Sequence, residues 1–218
     1  MHDIFRNIRA VGFDMDGTLY TYIPEISERI IDRASEVVLD LKPELGTLGA
    51  ARDFFINTSK EKESRYKAMD AAGHENPKFA MRKILEEANT DELITYDERV
   101  SDLIRRMSES KYTYLITTSP STVGSKVLKK IGIDESWFKR IVYGDDKLIN
   151  GQPKVNAMKD IIKESGIPAE EHVYIGDREI SDIIEPKSIG MRTIAVGNEI
   201  PEADISVQSV YDIEGLLL

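Results

Sequence analysis

Apolar positions recur along this 218-residue chain with two different periods, and the switch between them divides it. An apolar approach, Ile8 to Val11, reads as a strand over about 8–14, ending in the stretch FDMDGTLY. From Pro24 the spacing turns helical. Ile26, Ile30, Ala34, Val37, Val38 and Leu41 keep one apolar face, and Pro43 stops the run. Further helices are expected near 49–56, 60–72 and 77–88, in segments rich in Ala, Glu, Lys and Arg. The character then changes. Val100, Leu103, Ile104 and Met107 mark a helix, and YTYLIT, residues 112–117, a strand. Val123, Val127, Leu128 and Ile131 mark a helix ending at Gly132, and RIVYG follows as a strand. Val155, Met158, Ile161 and Ile162 mark a helix ending at Gly166. HVYIGD, RTIAVG and ADISV read as strands, with a short helix at the end.

Strands alternating with helices imply an α/β fold with a doubly wound parallel sheet and right-handed crossovers. Residues 1–20 and 95–218 would form this Rossmann-like core, and residues 21–94 an inserted all-helical domain. Ligands of such sheets sit beyond the carboxyl ends of the strands. Every expected strand end here carries a polar group. After the first come Asp14, Asp16 and Thr18; after the second, Thr117, Thr118 and Ser119. Lys154, in GQPK, opens a helix, and GDREISD places Asp177 and Asp182 after HVYI.

Asp14 and Asp16 would share a face of a continuing strand. Two carboxylates that close destabilise each other unless something positive sits between them. Hard oxygen ligands of this kind suit an oxygen-loving cation.

Composition narrows the chemistry. The chain has no cysteine, which excludes disulfides, thiol catalysis and Cys-ligated zinc. His2, His74 and His172 are scattered without metalloprotease spacing. A net charge of −10 disfavours nucleic acid and anionic membrane surfaces as partners. There is no Walker loop and no GxGxxG. No signal-peptide core and no run of membrane-spanning length occurs, so a cytoplasmic location is expected.

Each candidate also has a plainer reading. Asp-Gly is a common turn pair, and Thr117 is an ordinary β-branched strand residue. Lys154 could be one more solvated Lys among 29 basic residues. Asp182 could cap the helix it enters, support a metal site or ligate the ion. Tyr20 and Tyr22 read as packing residues, and His172 as structural.

Taken together, four stretches weigh against the plainer readings: Asp14-Met15-Asp16-Gly17-Thr18, the strand LIT ending at Thr117, Lys154 after a Gly/Pro-rich loop, and Gly176-Asp177 with Asp182. In this order they resemble the haloacid dehalogenase-like hydrolase superfamily, in its phosphatase branch. The resemblance covers residues 8–20 and about 96–217. The residue after the second motif is often Asn in relatives and is Thr118 here.

The resemblance implies a Mg2+-dependent phosphatase of small phosphorylated metabolites, such as glycerol phosphate or phosphoglycolate, with residues 21–94 as its cap. It implies Asp14 as nucleophile and Asp16 as general acid and base. Thr117, Thr118 and Lys154 would bind the phosphoryl group. Mg2+ would be held by Asp14, Asp177 and the backbone carbonyl of Asp16, with Thr18 and Asp182 in support. In the same family, dehalogenases lack a proton donor at the second Asp, and transporting ATPases carry Lys after the nucleophile; Asp16 and Met15 argue against those branches. The alternatives are a nucleoside 5'-monophosphate phosphatase, a sugar phosphomutase, and a non-catalytic phosphate- or metal-binding module.

Overall fold

A computed structural model describes residues 3–62, 64–150 and 152–218. His2, Glu63 within the expected helix 60–72, and Gly151 of GQPK lie outside the described residues.

Six strands form one parallel sheet: β1 (Ala10–Phe13), β2 (Tyr112–Ile116), β3 (Arg140–Val142), β4 (His172–Gly176), β5 (Arg192–Val196) and β6 (Ile205–Val207). Their order is β3-β2-β1-β4-β5-β6. The chain winds outward from β1 to β3, then returns to the other side of β1 and winds outward again. The reversal falls between β1 and β4, the place where sheets of this kind bind ligands. Register makes the strand ends level, since Phe13 pairs with Leu115 of β2 and with Ile175 of β4.

Alternation along the strands buries both faces of the sheet. Ala10, Tyr114, Ile116, Val142 and Tyr174 pack with Ala157, Met158 and Ile161 of α7 (Val155–Ser165). Val11, Phe13, Leu115, Val173 and Ile175, which alternate with them, are equally buried. The helix α5 (Glu98–Ser110) buries Val100, Leu103, Ile104 and Met107, the four residues whose spacing predicts it.

The chain divides into two compact units, Met1–Tyr22 with Ile94–Leu218, and Ile23–Leu93. The second is helical: α1 (Pro24–Leu41), α2 (Leu48–Glu61), α3 (Arg65–Ala71) and α4 (Pro77–Glu87). Pro24 opens α1 where no N–H partner is needed. Ile26, Ile30, Ala34 and Val38 then bury a stripe at helical spacing. Thr47, Ser64 and Asn76 cap the three later helices through side-chain oxygens. The Ser64 cap corrects the expectation of one helix over 60–72: α2 runs on to Glu61 and α3 starts afresh at Arg65. A capping hydroxyl outweighs the helix-forming residues on either side of it.

The core strands are shorter than the apolar runs that predict them. β1 stops at Phe13 rather than at residue 14, although Asp14 N still donates to Ile175 O at 2.8 Å. The segment Glu179–Ile184 is a π-helix, with no counterpart in the sequence pattern. Such wide turns are frequent at functional sites. Among the described residues, no helix is long and apolar enough to cross a membrane.

Candidate active site

The ends of β1 and β4 and the start of α7 bring four charged side chains into one buried cluster. Asp14 is 2% exposed, Lys154 3% and Asp182 0%. The Lys154 ammonium donates to Asp14 Oδ1 at 2.7 Å and to Asp182 Oδ1 at 2.9 Å. Asp182 lies in the π-helix. Its Oδ1 also accepts from Ser181 Oγ at 3.0 Å, and its Oδ2 from the Arg178 N–H at 3.1 Å. Both of its oxygens are thus engaged by protein donors. Lys154, one candidate for a solvated surface residue, is held at the N-cap of α7 beneath the cluster.

Asp177 completes the group. One oxygen from each of Asp14, Asp177 and Asp182 lies within 4.8 Å of the others. The buried Asp177 Oδ1 has no hydrogen-bond partner among the described residues. Three carboxylates therefore face a single ammonium, with one buried oxygen unsatisfied. Oxygen donors with an excess of negative charge and an orphaned lone pair fit a divalent, oxygen-loving cation such as Mg2+.

Electrostatics follow from burial. Loss of water pushes the Asp14 carboxyl up to about 7, opposed by Lys154 and reinforced by Asp182 and Asp16. Burial raises Asp177 as well. It disfavours the Lys154 ammonium, but Asp14 and Asp182 outweigh it and hold Lys154 charged, above its ordinary range. Lys154 thus stays charged, the Arg178 guanidinium adds a second positive charge nearby, and Asp14 and Asp177 are nonetheless pushed toward neutrality, a cost that a bound dication would relieve.

Asp16 belongs to a different set of partners. Past Phe13 the strand rule no longer applies, and Met15 O accepts from the N–H groups of both Thr18 and Leu19, at 3.3 and 3.0 Å. This single helical turn carries the chain back so that Tyr20 forms a backbone bridge with Asp16. The Tyr20 hydroxyl donates to Asp16 Oδ1 at 2.5 Å. Asp16 Oδ2 accepts from Ser119 Oγ at 2.8 Å and from Thr117 Oγ1 at 3.3 Å. Thr117 Oγ1 in turn accepts the Ser119 N–H at 3.1 Å. Burial and Asp16 both raise the Tyr20 phenol, so it stays a donor.

Two glycines allow this approach of segments. Gly17 has φ +83°, and a Cβ there would lie 2.5 Å from Asp177 Oδ2. A Cβ on Gly176 would lie 2.4 Å from the Cβ of Asp182.

Of the sequence-derived candidates, Asp14, Lys154, Asp177 and Asp182 come together directly, and Thr117 reaches Asp16. Thr18 is buried in the turn, with its hydroxyl unpartnered among the described residues. Thr118 is exposed. Ser119, which the sequence places at the end of the second strand without a role, and Tyr20, which reads there as packing, both donate to Asp16. The spacing of four from Asp16 to Tyr20 carries meaning only once the turn is known.

The family described as haloacid dehalogenase-like hydrolase matches residues 11–196. A phosphoglycolate phosphatase of Pseudomonas fluorescens (strain Pf0-1) is 25% identical over 194 residues, covering 86% of this chain and 69% of its own. A glyceraldehyde 3-phosphate phosphatase of Methanocaldococcus jannaschii is 26% identical over 199 residues, covering 87% and 85%. The crystal structure of a HAD phosphatase from Thermococcus onnurineus has the same fold, with a TM-score of 0.71 at 19% identity, over 96% of this chain and 98% of that one.

Proposed function

The chain belongs to the haloacid dehalogenase-like hydrolase family, and on that premise we propose that it is a Mg2+-dependent phosphatase of small phosphorylated metabolites working through an aspartyl-phosphate. The observation that carries this reading is the separation of the two aspartates of DMDGT. Asp14 is paired with an ammonium at 2.7 Å, and Asp16 accepts side-chain hydrogen bonds, among the described residues, from the neutral hydroxyls of Tyr20, Ser119 and Thr117. This separation favours Asp14 as the nucleophile, its charge partly offset, and Asp16 as the proton carrier.

In the first step an Asp14 oxygen bonds to phosphorus and the bond to the substrate oxygen breaks, while Asp16 gives that oxygen its proton. In the second, Asp16 takes a proton from water, the hydroxide bonds to phosphorus, and the Asp14–phosphorus linkage breaks. Inorganic phosphate leaves and both side chains are restored. Lys154 and the Thr117 hydroxyl donate to the phosphoryl oxygens, where charge accumulates. Thr118 would line the same strand end.

Asp14, Asp177 and the backbone carbonyl of Asp16 would hold Mg2+, with Thr18 in support. When bound, the ion offsets the charge of the nucleophile and of the phosphoryl oxygens. Asp182 supports the site by anchoring Lys154 and the Arg178 amide. The helical unit is proposed as the cap from which substrate choice comes. The presence of Asp16 favours ester hydrolysis over dehalogenation, since an alkoxide leaves with a proton and a halide leaves without one. The activities named for the two relatives favour small three- and two-carbon phosphate esters.

A phosphate-release panel tests the proposal. Phosphoglycolate, glycerol phosphate, glyceraldehyde 3-phosphate, nucleoside monophosphates and a hexose phosphate are compared with Mg2+ and with excess chelator. Release from the small esters only with Mg2+ supports it. Full activity in chelator, or isomerisation of the hexose phosphate without release, overturns it.

A further inference from the structure

The Asp16 carboxylate is pinned from both oxygens by groups on two separate segments. Tyr20, on the turn after β1, donates to Oδ1 at 2.5 Å, and Ser119, in the loop after β2, donates to Oδ2 at 2.8 Å. A carboxylate is otherwise free to turn about its terminal torsion, which is broad and roughly two-fold. Contacts on both oxygens from different directions fix its plane. The Ser119 contact is itself braced, because the Ser119 N–H donates to Thr117 Oγ1 at 3.1 Å.

We propose that Tyr20 and Ser119 are positioning residues for proton transfer, aiming the Asp16 carboxyl at the leaving oxygen of the substrate. This rests on the reading of Asp16 as the proton carrier. The choice of group supports it. A hydroxyl both donates and accepts, so it can hold Asp16 when the carboxylate is charged and, after rotation, when it carries a proton. An ammonium or guanidinium can only donate, and its charge would favour the ionised carboxylate over the protonated one. The hydroxyl clamp therefore suits a carboxyl that must change protonation state in every turnover. A purely packing role for Tyr20 needs its ring and not its hydroxyl.

Single-turnover phosphorylation of Asp14, from an alkyl phosphate and from nitrophenyl phosphate, tests the clamp in Tyr20→Phe and, independently, in Ser119→Ala. An alkoxide needs the proton as it leaves and a nitrophenolate largely does not. Each variant should slow the alkyl ester about tenfold, the scale of one hydrogen bond to a charged group. The nitrophenyl ester should slow less than about twofold. In an Asp16→Asn background neither substitution should add a further loss. Equal slowing of both esters, or an undiminished loss in the Asp16→Asn background, would show that the two hydroxyls merely support the fold. If Asp16→Asn alone slows both esters equally, the reading of Asp16 fails, and the clamp with it. If Asp16→Asn discriminates between the esters while Tyr20→Phe and Ser119→Ala do not, only the clamp fails.

Discussion

Lys154 and Asp14, separated by 140 positions in the chain, meet at 2.7 Å with both side chains 3% exposed. The same ammonium reaches Asp182 at 2.9 Å. One cation thus serves two buried carboxylates, and its removal leaves Asp14 without its ammonium and Asp182 with only the Ser181 hydroxyl and the Arg178 N–H.

Lys154→Met should therefore destabilise the metal-free protein by about 3–5 kcal/mol, the cost of breaking a buried pair from one side. Adding Asp182→Asn should recover part of that stability and none of the activity, because the phosphoryl-binding ammonium is still absent. Urea unfolding in chelator, alongside phosphate release, measures both. An unchanged unfolding midpoint in Lys154→Met would contradict the buried ion pair.

Mg2+ should raise the unfolding temperature in proportion to its differential affinity for the folded chain. At a hundred times the dissociation constant the stabilisation is about 2.7 kcal/mol. Asp177→Asn should abolish this response while leaving the metal-free protein nearly as stable, since Asp177 Oδ1 has no protein partner among the described residues. A Mg2+-induced shift of normal size in Asp177→Asn would exclude Asp177 as a ligand.

Gly17→Ala tests the turn that separates the two aspartates. Its φ of +83° costs an L side chain about 1–2 kcal/mol. The new methyl would also displace Asp177 Oδ2, which lies 2.5 Å from the ideal Cβ position. Mg2+ affinity should fall about ten- to a hundredfold, as for other groups that orient metal ligands. Calorimetric titration of Mg2+ reads this separately from the unfolding midpoint, and an unaltered affinity would show that Asp177 has room to yield.

His172 gives the fold a pH dependence apart from the active site. Its Nε2 meets the Ile167 carbonyl at 3.2 Å, which requires a proton on Nε2. Nδ1 is then left to accept from the Tyr114 hydroxyl at 3.4 Å. Burial holds the imidazole below its ordinary range, against the Ile167 carbonyl and the Glu171 charge. The unfolded chain therefore binds a proton more readily than the native one. Stability rises with pH between the lowered native value and about 6.5, and the contribution is complete above that. Asp14, raised to about 7, contributes the opposite slope over this range, so the His172 contribution is read as the difference in urea midpoint between the wild type and His172→Gln from pH 5 to 8, which should grow with pH up to about 6.5. An identical slope in the variant would assign the dependence to other groups.

The sequence by itself determined the elements and the edge at which they converge. Ile26, Ile30, Ala34 and Val38 bury the stripe that their spacing predicts, because helical periodicity is a property of neighbours three and four residues apart. The alternation of apolar strands with helices implied the parallel sheet, whose carboxyl edge holds Asp14, Thr117 and Asp177. Where a purely local competition opposed the pattern, as at Ser64, the boundary moved.

Only the tertiary structure decided what each polar residue does with its hydrogen-bonding groups. Without the family resemblance Lys154 reads as a solvated surface residue; the sheet register sets it at the start of α7, 2.7 Å from Asp14. From sequence Asp182 is a cap, a support of the metal site or a ligand; the π-helix, absent from any periodicity, turns its two oxygens toward Lys154 and the Arg178 N–H. Tyr20 looked like packing until the turn at Gly17 returned it to Asp16. These contacts join residues far apart in the chain or hang on a single unusual turn. Local pattern records which residues want to be buried, and the register of distant strands fixes which of them meet.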